Sequence, residues 1–110
     1  LFVEGRLDDV IVRGGENISP GEIEDCLRSH PGVADVAVLG MPDDRWGEKV
    51  VAVLVARDDI VDPGDLAAHV KAQLRSTKTP VDWFFVGALP YNETGKLLRR
   101  QLRTDLLQNS

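Results

Sequence analysis

The segment P-Y-N-E-T-G-K-L-L-R-R, residues 90–100, places Lys96 behind a proline, a polar stretch and Gly95, with Arg99 and Arg100 close after it. A compact ammonium on a flexible stem, introduced by a glycine that lets other groups come close, suits contact with phosphate or carboxylate oxygens. The spacing lies near the nucleotide-cradling loop G-x-x-x-x-G-K-[ST] but does not satisfy it. The first glycine position is Pro90, which has no N–H to offer, and the residue after Lys96 is Leu97, which has no hydroxyl for a metal. Two local readings remain: a lysine that meets an anion, and a glycine that ends a turn ahead of a solvated helix. Other chemistry-bearing side chains are few. Cys26 is the single cysteine, and neither His30 nor His69 has a metal-spaced companion, so all three read as structural and no metal site is expected.

The elements that must position Lys96 follow from periodicity and punctuation. Val3 to Arg13 reads as two extended pieces broken at Gly5, and Gly14-Gly15 forces a tight reversal, which predicts a small hairpin. Ser19-Pro20-Gly21-Glu22 has the form of a capping box with proline at the first helical position, so a helix begins at Pro20. Its apolar side, Ile23, Cys26, Leu27 and His30, repeats at helical spacing until Pro31-Gly32 stops it. Val33 to Leu39 and Lys49 to Ala56 are runs of β-branched and small apolar residues, expected to pair as strands covered on both faces or central in a sheet. Gly40 to Glu48, with proline, glycines and acids, reads as the loop between them. Asp62-Pro63 opens a second helix on Leu66, Val70 and Leu74 that ends near Lys78-Thr79-Pro80. A third strand covers Trp83 to Val86, and Leu98, Leu102 and Leu106 mark a terminal helix. The expected class is α+β: a two-layer sandwich of helices on a three-stranded sheet, with a small amino-terminal β-hairpin.

With 110 residues the chain is sized for one small domain with one core, too small for a deep two-lobed active site. It opens on Leu1-Phe2-Val3, without initiator methionine or signal peptide, and reads as a fragment of a longer polypeptide. Its 13 basic and 18 acidic residues leave a formal charge of -5, which argues against a nucleic-acid partner. One cysteine and no secretory segment point to a reducing, cytoplasmic setting, and no apolar run is long enough to cross a bilayer.

The stretch GRLDDVIVRGGENISPGEIE, residues 5–24, together with HPGVADVAVLGMPDDRWGEKVVAVLV and PYNETGK, resembles the carboxy-terminal domain of the acyl-adenylate-forming (AMP-dependent synthetase/ligase) superfamily, and most of all a fatty-acid or acyl-CoA synthetase. The likeness covers essentially the whole chain. It implies a single mobile domain over residues 1–110, with the hinge and glycine-turn hairpin in 1–18 and the α+β core and catalytic-lysine loop in 19–110. In such enzymes a larger amino-terminal domain holds ATP, Mg2+ and the carboxylic acid. The small domain rotates between a pose that forms acyl-AMP and pyrophosphate and a pose in which the thiol of coenzyme A displaces AMP.

By that resemblance Lys96 is the catalytic lysine that meets the carboxylate and the α-phosphate, Gly95 leaves room beside it and Pro90 stiffens the loop. Arg6 contacts the nucleotide and Asp8 is the hinge. Gly14, Gly15 and Glu16 line the pantetheine tunnel, with Trp46 near the pantetheine. The implied partners are the amino-terminal domain of the same enzyme, the acid, ATP and coenzyme A, with a lysine acetyltransferase as a possible modifier of Lys96. One departure from the family pattern is Ser76-Thr77-Lys78-Thr79-Pro80, where many relatives carry an aromatic residue, available to stack on the adenine of coenzyme A, before the lysine. Thr77 leaves that contact open, and with it the alternative of an adenylation domain that loads a carrier protein. A non-catalytic α+β interaction module is the alternative from outside the superfamily.

Overall fold

The computed structural model describes residues 10–45, 47–57 and 62–109. Strands β1 (Ile11–Arg13) and β2 (Glu16–Ile18) form an antiparallel hairpin, followed by helix α1 (Pro20–Arg28). Strands β3 (Val33–Asp43) and β4 (Gly47–Ala56), helix α2 (Pro63–Gln73), a 3-10 turn at Ser76–Lys78, strand β5 (Asp82–Phe85) and helix α3 (Arg99–Asn109) complete the chain. The main sheet has the order β3-β4-β5, with β3 antiparallel and β5 parallel to the central β4. A parallel neighbour needs a crossover connection, and α2 supplies it. This is the α+β architecture, three-stranded sheet and appended hairpin that the sequence predicts.

Alternation along β3 and β4 explains why their sequences are apolar throughout. Val36, Val38, Val50, Ala52 and Leu54 point to one face, where they bury Ile23 and Leu27 of α1, Leu66 and Val70 of α2, and Ile11 and Ile18 of the hairpin. The intervening Ala37, Leu39, Met41, Val51 and Val53 point to the other face and bury Leu89 and Leu102. The helices therefore divide between the faces, α1 and α2 on one and α3 on the other, so the sheet is covered on both sides and the expected two layers are three. Successive strand side chains alternate in direction, so a strand buried on both sides loses the polar half of its pattern.

Three local expectations are corrected. The presumed loop from Gly40 to Glu48 is mostly strand, since pairing runs on through Gly40↔Val50, Met41↔Lys49, Pro42↔Glu48 and Asp43↔Gly47. Pro42 is tolerated because β3 is an edge strand. Gly40 marks a close approach: a side chain there would lie 3.0 Å from Glu48 Oε1 and 3.1 Å from Ile11 Cγ2. The capping box does not form. Ser19 makes no side-chain cap bond, and Glu22 instead holds Lys78 Nζ at 2.5 Å. Helix α2 starts as expected, with Asp62 Oδ1 accepting from Gly64 N–H at 3.0 Å, but stops at Gln73, before the 3-10 turn.

Two contacts staple the carboxy-terminal segment to the outer edge of β3. Glu24 of α1 is only 3% exposed. Its carboxylate accepts from Val38 N–H at 2.8 Å and from Arg99, with Nη2 at 2.5 Å and Nε at 3.1 Å. The second staple is the Tyr91 hydroxyl, which donates to Asp35 Oδ2 while Asp35 Oδ1 accepts from Val36 N–H at 2.8 Å. Charge-assisted, two-pronged bonds of the first kind are the strong class, and an edge strand with an occupied N–H is a poorer template for aggregation.

Removing one partner of a buried pair strands the other, so Glu24→Ala should cost about 3–5 kcal/mol in urea denaturation, and Glu24→Gln, which can still accept from Val38, should cost less. The Asp35 hydrogen bond, followed by burial, raises the Tyr91 pKa. The fold thus favours the neutral phenol: this stability is complete below the ordinary value near 10 and is lost as pH rises through the higher folded value. Because Tyr91 is the only tyrosine, ultraviolet titration of the phenolate reads it directly. The midpoint should lie above that of free tyrosine and fall back in Asp35→Ala.

Candidate active-site loop

Leu89 is buried under α3, and from Pro90 the chain folds back on itself. Pro90 C=O accepts from Leu98 N–H at 2.9 Å, and Tyr91 bridges Leu97 in an antiparallel contact. Inside that small hairpin Asn92 N–H donates to Lys96 C=O at 2.9 Å, and Gly95 N–H donates to Asn92 C=O at 3.0 Å. The Asn92 side chain fills the turn, its Oδ1 accepting from Thr94 N–H at 3.0 Å, Thr94 Oγ1 at 2.7 Å and Lys96 N–H at 2.9 Å. Gly95 has a φ of +85°, the left-handed region that glycine enters without cost. Asparagine is suited to such turns because its side chain mimics a backbone acceptor.

Lys96 sits on this frame exposed, and its ammonium has no ion-pair partner among the described residues. The basic residues that follow are differently placed. Arg99 is committed to Glu24, while Arg103 Nη2 lies 3.5 Å from Glu48 Oε2, whose other oxygen accepts from Val12 N–H at 2.8 Å. With Arg100 and Glu48 they line a cleft of about 170 Å³ between α3 and the β3–β4 pair.

The glycine turn is held by other parts of the fold. Gly14 (φ 58°) and Gly15 (φ 86°) are the two residues between the paired Arg13 and Glu16, the left-handed pair that a two-residue hairpin turn demands. A β-carbon built on Gly15 meets nothing within 4 Å among the described residues, so its backbone angle and whatever docks there are what oppose a side chain. Glu16 faces Arg75, beyond α2, with Nη1 to Oε2 at 3.4 Å. The structure thus brings together Pro90, Gly95 and Lys96 in one loop and Gly14, Gly15 and Glu16 in another, with no hydrogen bond or ion pair between the two groups among the described residues. Arg6, Asp8 and Trp46 lie outside the described residues. Thr77 and Lys78 occupy the 3-10 turn, where Lys78 is taken by Glu22 and the Thr77 hydroxyl is buried with no hydrogen-bond partner among the described residues.

Sequence reasoning missed Asn92, Tyr91, Asp35 and the Glu24–Arg99 pair. A signal existed for Asn92, an Asx-turn former two residues before Thr94, but none for Glu24, whose partners are 14 and 75 residues away. Among the described residues no three His, Cys, Asp or Glu side chains gather to hold a metal ion, and no helix is long and apolar enough to cross a membrane. Cys26 is buried, and burial, then Glu22, pushes its thiol pKa up, away from the reactive range. His69 Nε2 lies 2.9 Å from Cys26 C=O and 2.8 Å from Ser29 Oγ, so it joins α2 to the end of α1.

Known proteins resemble this chain in sequence and in fold. A fatty acid–[acyl-carrier-protein] ligase from Streptomyces coeruleorubidus is 45% identical over 104 residues, 94% of this chain and 20% of that protein. A long-chain-fatty-acid–CoA ligase from Mycobacterium tuberculosis is 41% identical over 103 residues, again 94% of this chain and 20% of that protein. The chain therefore spans about a fifth of the length of the curated relatives it matches. Among solved structures, a fatty acyl CoA synthetase from Mycobacterium tuberculosis superposes with a TM-score of 0.90 at 38% identity, covering 99% of this chain and 22% of that one. Residues 22–96, from the first turn of α1 to Lys96 itself, match the family described as the AMP-binding enzyme C-terminal domain, and the chain belongs to that family.

Proposed function

We propose that this domain is the mobile catalytic part of an ATP-dependent acyl-CoA ligase acting on a fatty or related carboxylic acid. In the first half-reaction a carboxylate oxygen attacks the α-phosphorus of ATP, and the bond to pyrophosphate breaks with its electrons leaving on pyrophosphate. In the second the sulfur of coenzyme A attacks the acyl carbonyl, and AMP departs with the electrons of the acyl–oxygen bond. Most of the ATP site, the Mg2+ site and the acid pocket belong on this reading to a larger domain. These 110 residues alone are then inactive.

One observation carries the assignment: Lys96 has a fixed backbone, an exposed ammonium and no competing ion pair among the described residues. As carboxylate and phosphate oxygens close on one another, negative charges are forced together. An ammonium already in place between them stabilises that arrangement more than it stabilises the separated reactants. The Gly14-Gly15 turn, held apart from the lysine loop, is the natural element for the thioester pose. There it presents bare backbone to the pantetheine, with Glu16 and Trp46 beside it, while Arg6 meets the nucleotide and Asp8 carries the rotation. The same charge makes Lys96 a site where acetylation would switch adenylation off.

A second reading concerns the acceptor. Thr77 offers no aromatic ring for a coenzyme A adenine, and one of the relatives is named for a carrier-protein acceptor. Loading a carrier protein in place of coenzyme A uses the same Lys96 chemistry, and steady-state turnover with each acceptor distinguishes the two.

In the full-length enzyme Lys96→Ala should slow acid-dependent exchange of pyrophosphate into ATP by on the order of a hundredfold or more. Thioester formation from supplied acyl-adenylate should be preserved. Gly15→Leu should do the reverse, sparing exchange and blocking thiol attack, and an equal loss in both half-reactions would remove Gly15 from the tunnel.

A further inference from the structure

Both backbone polar groups of Lys96 bond to a single residue. Its N–H donates to Asn92 Oδ1 at 2.9 Å, and its C=O accepts from Asn92 N–H at 2.9 Å. The peptide planes on either side of the Lys96 α-carbon are therefore set by Asn92, and with them the direction in which the side chain leaves the loop. The same Oδ1 takes Thr94 N–H and Thr94 Oγ1, at 3.0 and 2.7 Å. Two of these donors are backbone N–H groups that can only donate, so the acceptor must be the amide oxygen, and its orientation is settled by chemistry.

A lysine stem has enough rotatable bonds that ordering its head costs entropy at the moment of reaction. Fixing the stem's origin is the part of that cost the fold can remove in advance. We infer that Asn92 is a positioning residue for adenylation, acting through the backbone of Lys96 and not by touching substrate. This inference rests on the reading of Lys96 given above. Tyr91 and Asp35 anchor the outside of the same loop, but they tie it to β3 whatever conformation its tip adopts, whereas Asn92 shapes the tip itself.

The test uses the full-length enzyme and the two half-reactions separately. Asn92→Ala should lower kcat for adenylation by about 10- to 100-fold, the scale on which small misplacements act, with KM for ATP and acid nearly unchanged. Attack of thiol on supplied acyl-adenylate should keep its rate. Asn92→Asp, which keeps an acceptor oxygen in place, should recover most of the lost rate, and both variants should melt close to the parent because the loop tip is exposed. The inference is overturned if Asn92→Ala adenylates normally, if both half-reactions fall by one factor, or if Asn92→Asp is as slow as Asn92→Ala. A Lys96→Ala enzyme measured alongside separates the two failures: normal exchange in that variant would overturn the reading of Lys96 itself, while loss there with normal Asn92→Ala overturns only the role of Asn92.

Discussion

The carboxylate of Glu24 is the contact that fixes where α3 begins. An anion removed from water is tolerated only when its oxygens are filled by donors, and here the donors come from Val38 on the edge strand and Arg99 at the start of α3. Three segments far apart in sequence are thereby locked at one point. Arginine matters here because its planar fork meets a carboxylate at two positions, which fixes an angle as well as a distance. A helix anchored in that way at its first residue also anchors the loop that enters it, and that loop is the one that carries Lys96.

The sheet divides the domain into two sides. Its strands are apolar on both faces, so the α1–α2 side and the α3 side each have their own core. The glycine turn belongs to the hairpin that packs with α1 and α2, through Ile11 and Ile18, whereas the lysine loop leads into the helix that covers the opposite face. On the proposed function, one loop in each of two regions of a rigid body suits two chemistries performed in turn, since rotation of the whole unit would exchange one loop for the other without remaking either.

What the sequence disclosed and what it withheld divide along a physical line. Interactions between near neighbours were legible: Asp62-Pro63 opening α2, Gly14-Gly15 reversing the chain, the apolar stripe of Ile23, Cys26 and Leu27, and the continuous β-branched runs of β3 and β4. The same local reasoning failed where a distant partner decided the outcome. Glu22 has the spacing of a capping box but is taken by Lys78, whose ammonium offers a stronger bond than a backbone amide. Gly40 and Pro42 look like loop residues, yet the former is a contact point for Ile11 and Glu48 and the latter sits where an edge strand needs no donor. For the site, motif order pointed to Lys96 and the glycines by likeness, but the groups that hold the lysine loop, Asn92 and Tyr91 with Asp35, emerge only from the folded chain, and Arg6, Asp8 and Trp46 fall outside the described residues.

An exposed lysine is by itself ordinary, and Lys71 and Arg100 also face water with no ion pair among the described residues. Elsewhere the surface charges pair off: Lys49 with Asp82, Arg75 with Glu16, Lys78 with Glu22, Arg103 with Glu48. What separates Lys96 is the combination of a backbone bonded at both its N–H and its C=O with a head left unpaired. Freedom at both ends would describe a solvated side chain, and constraint at both ends would describe a structural salt bridge with its charge already spent. Rigid origin and free charge together fit the proposed reading of Lys96 as a cation held ready for an anion from outside the domain, which is the condition electrostatic catalysis imposes.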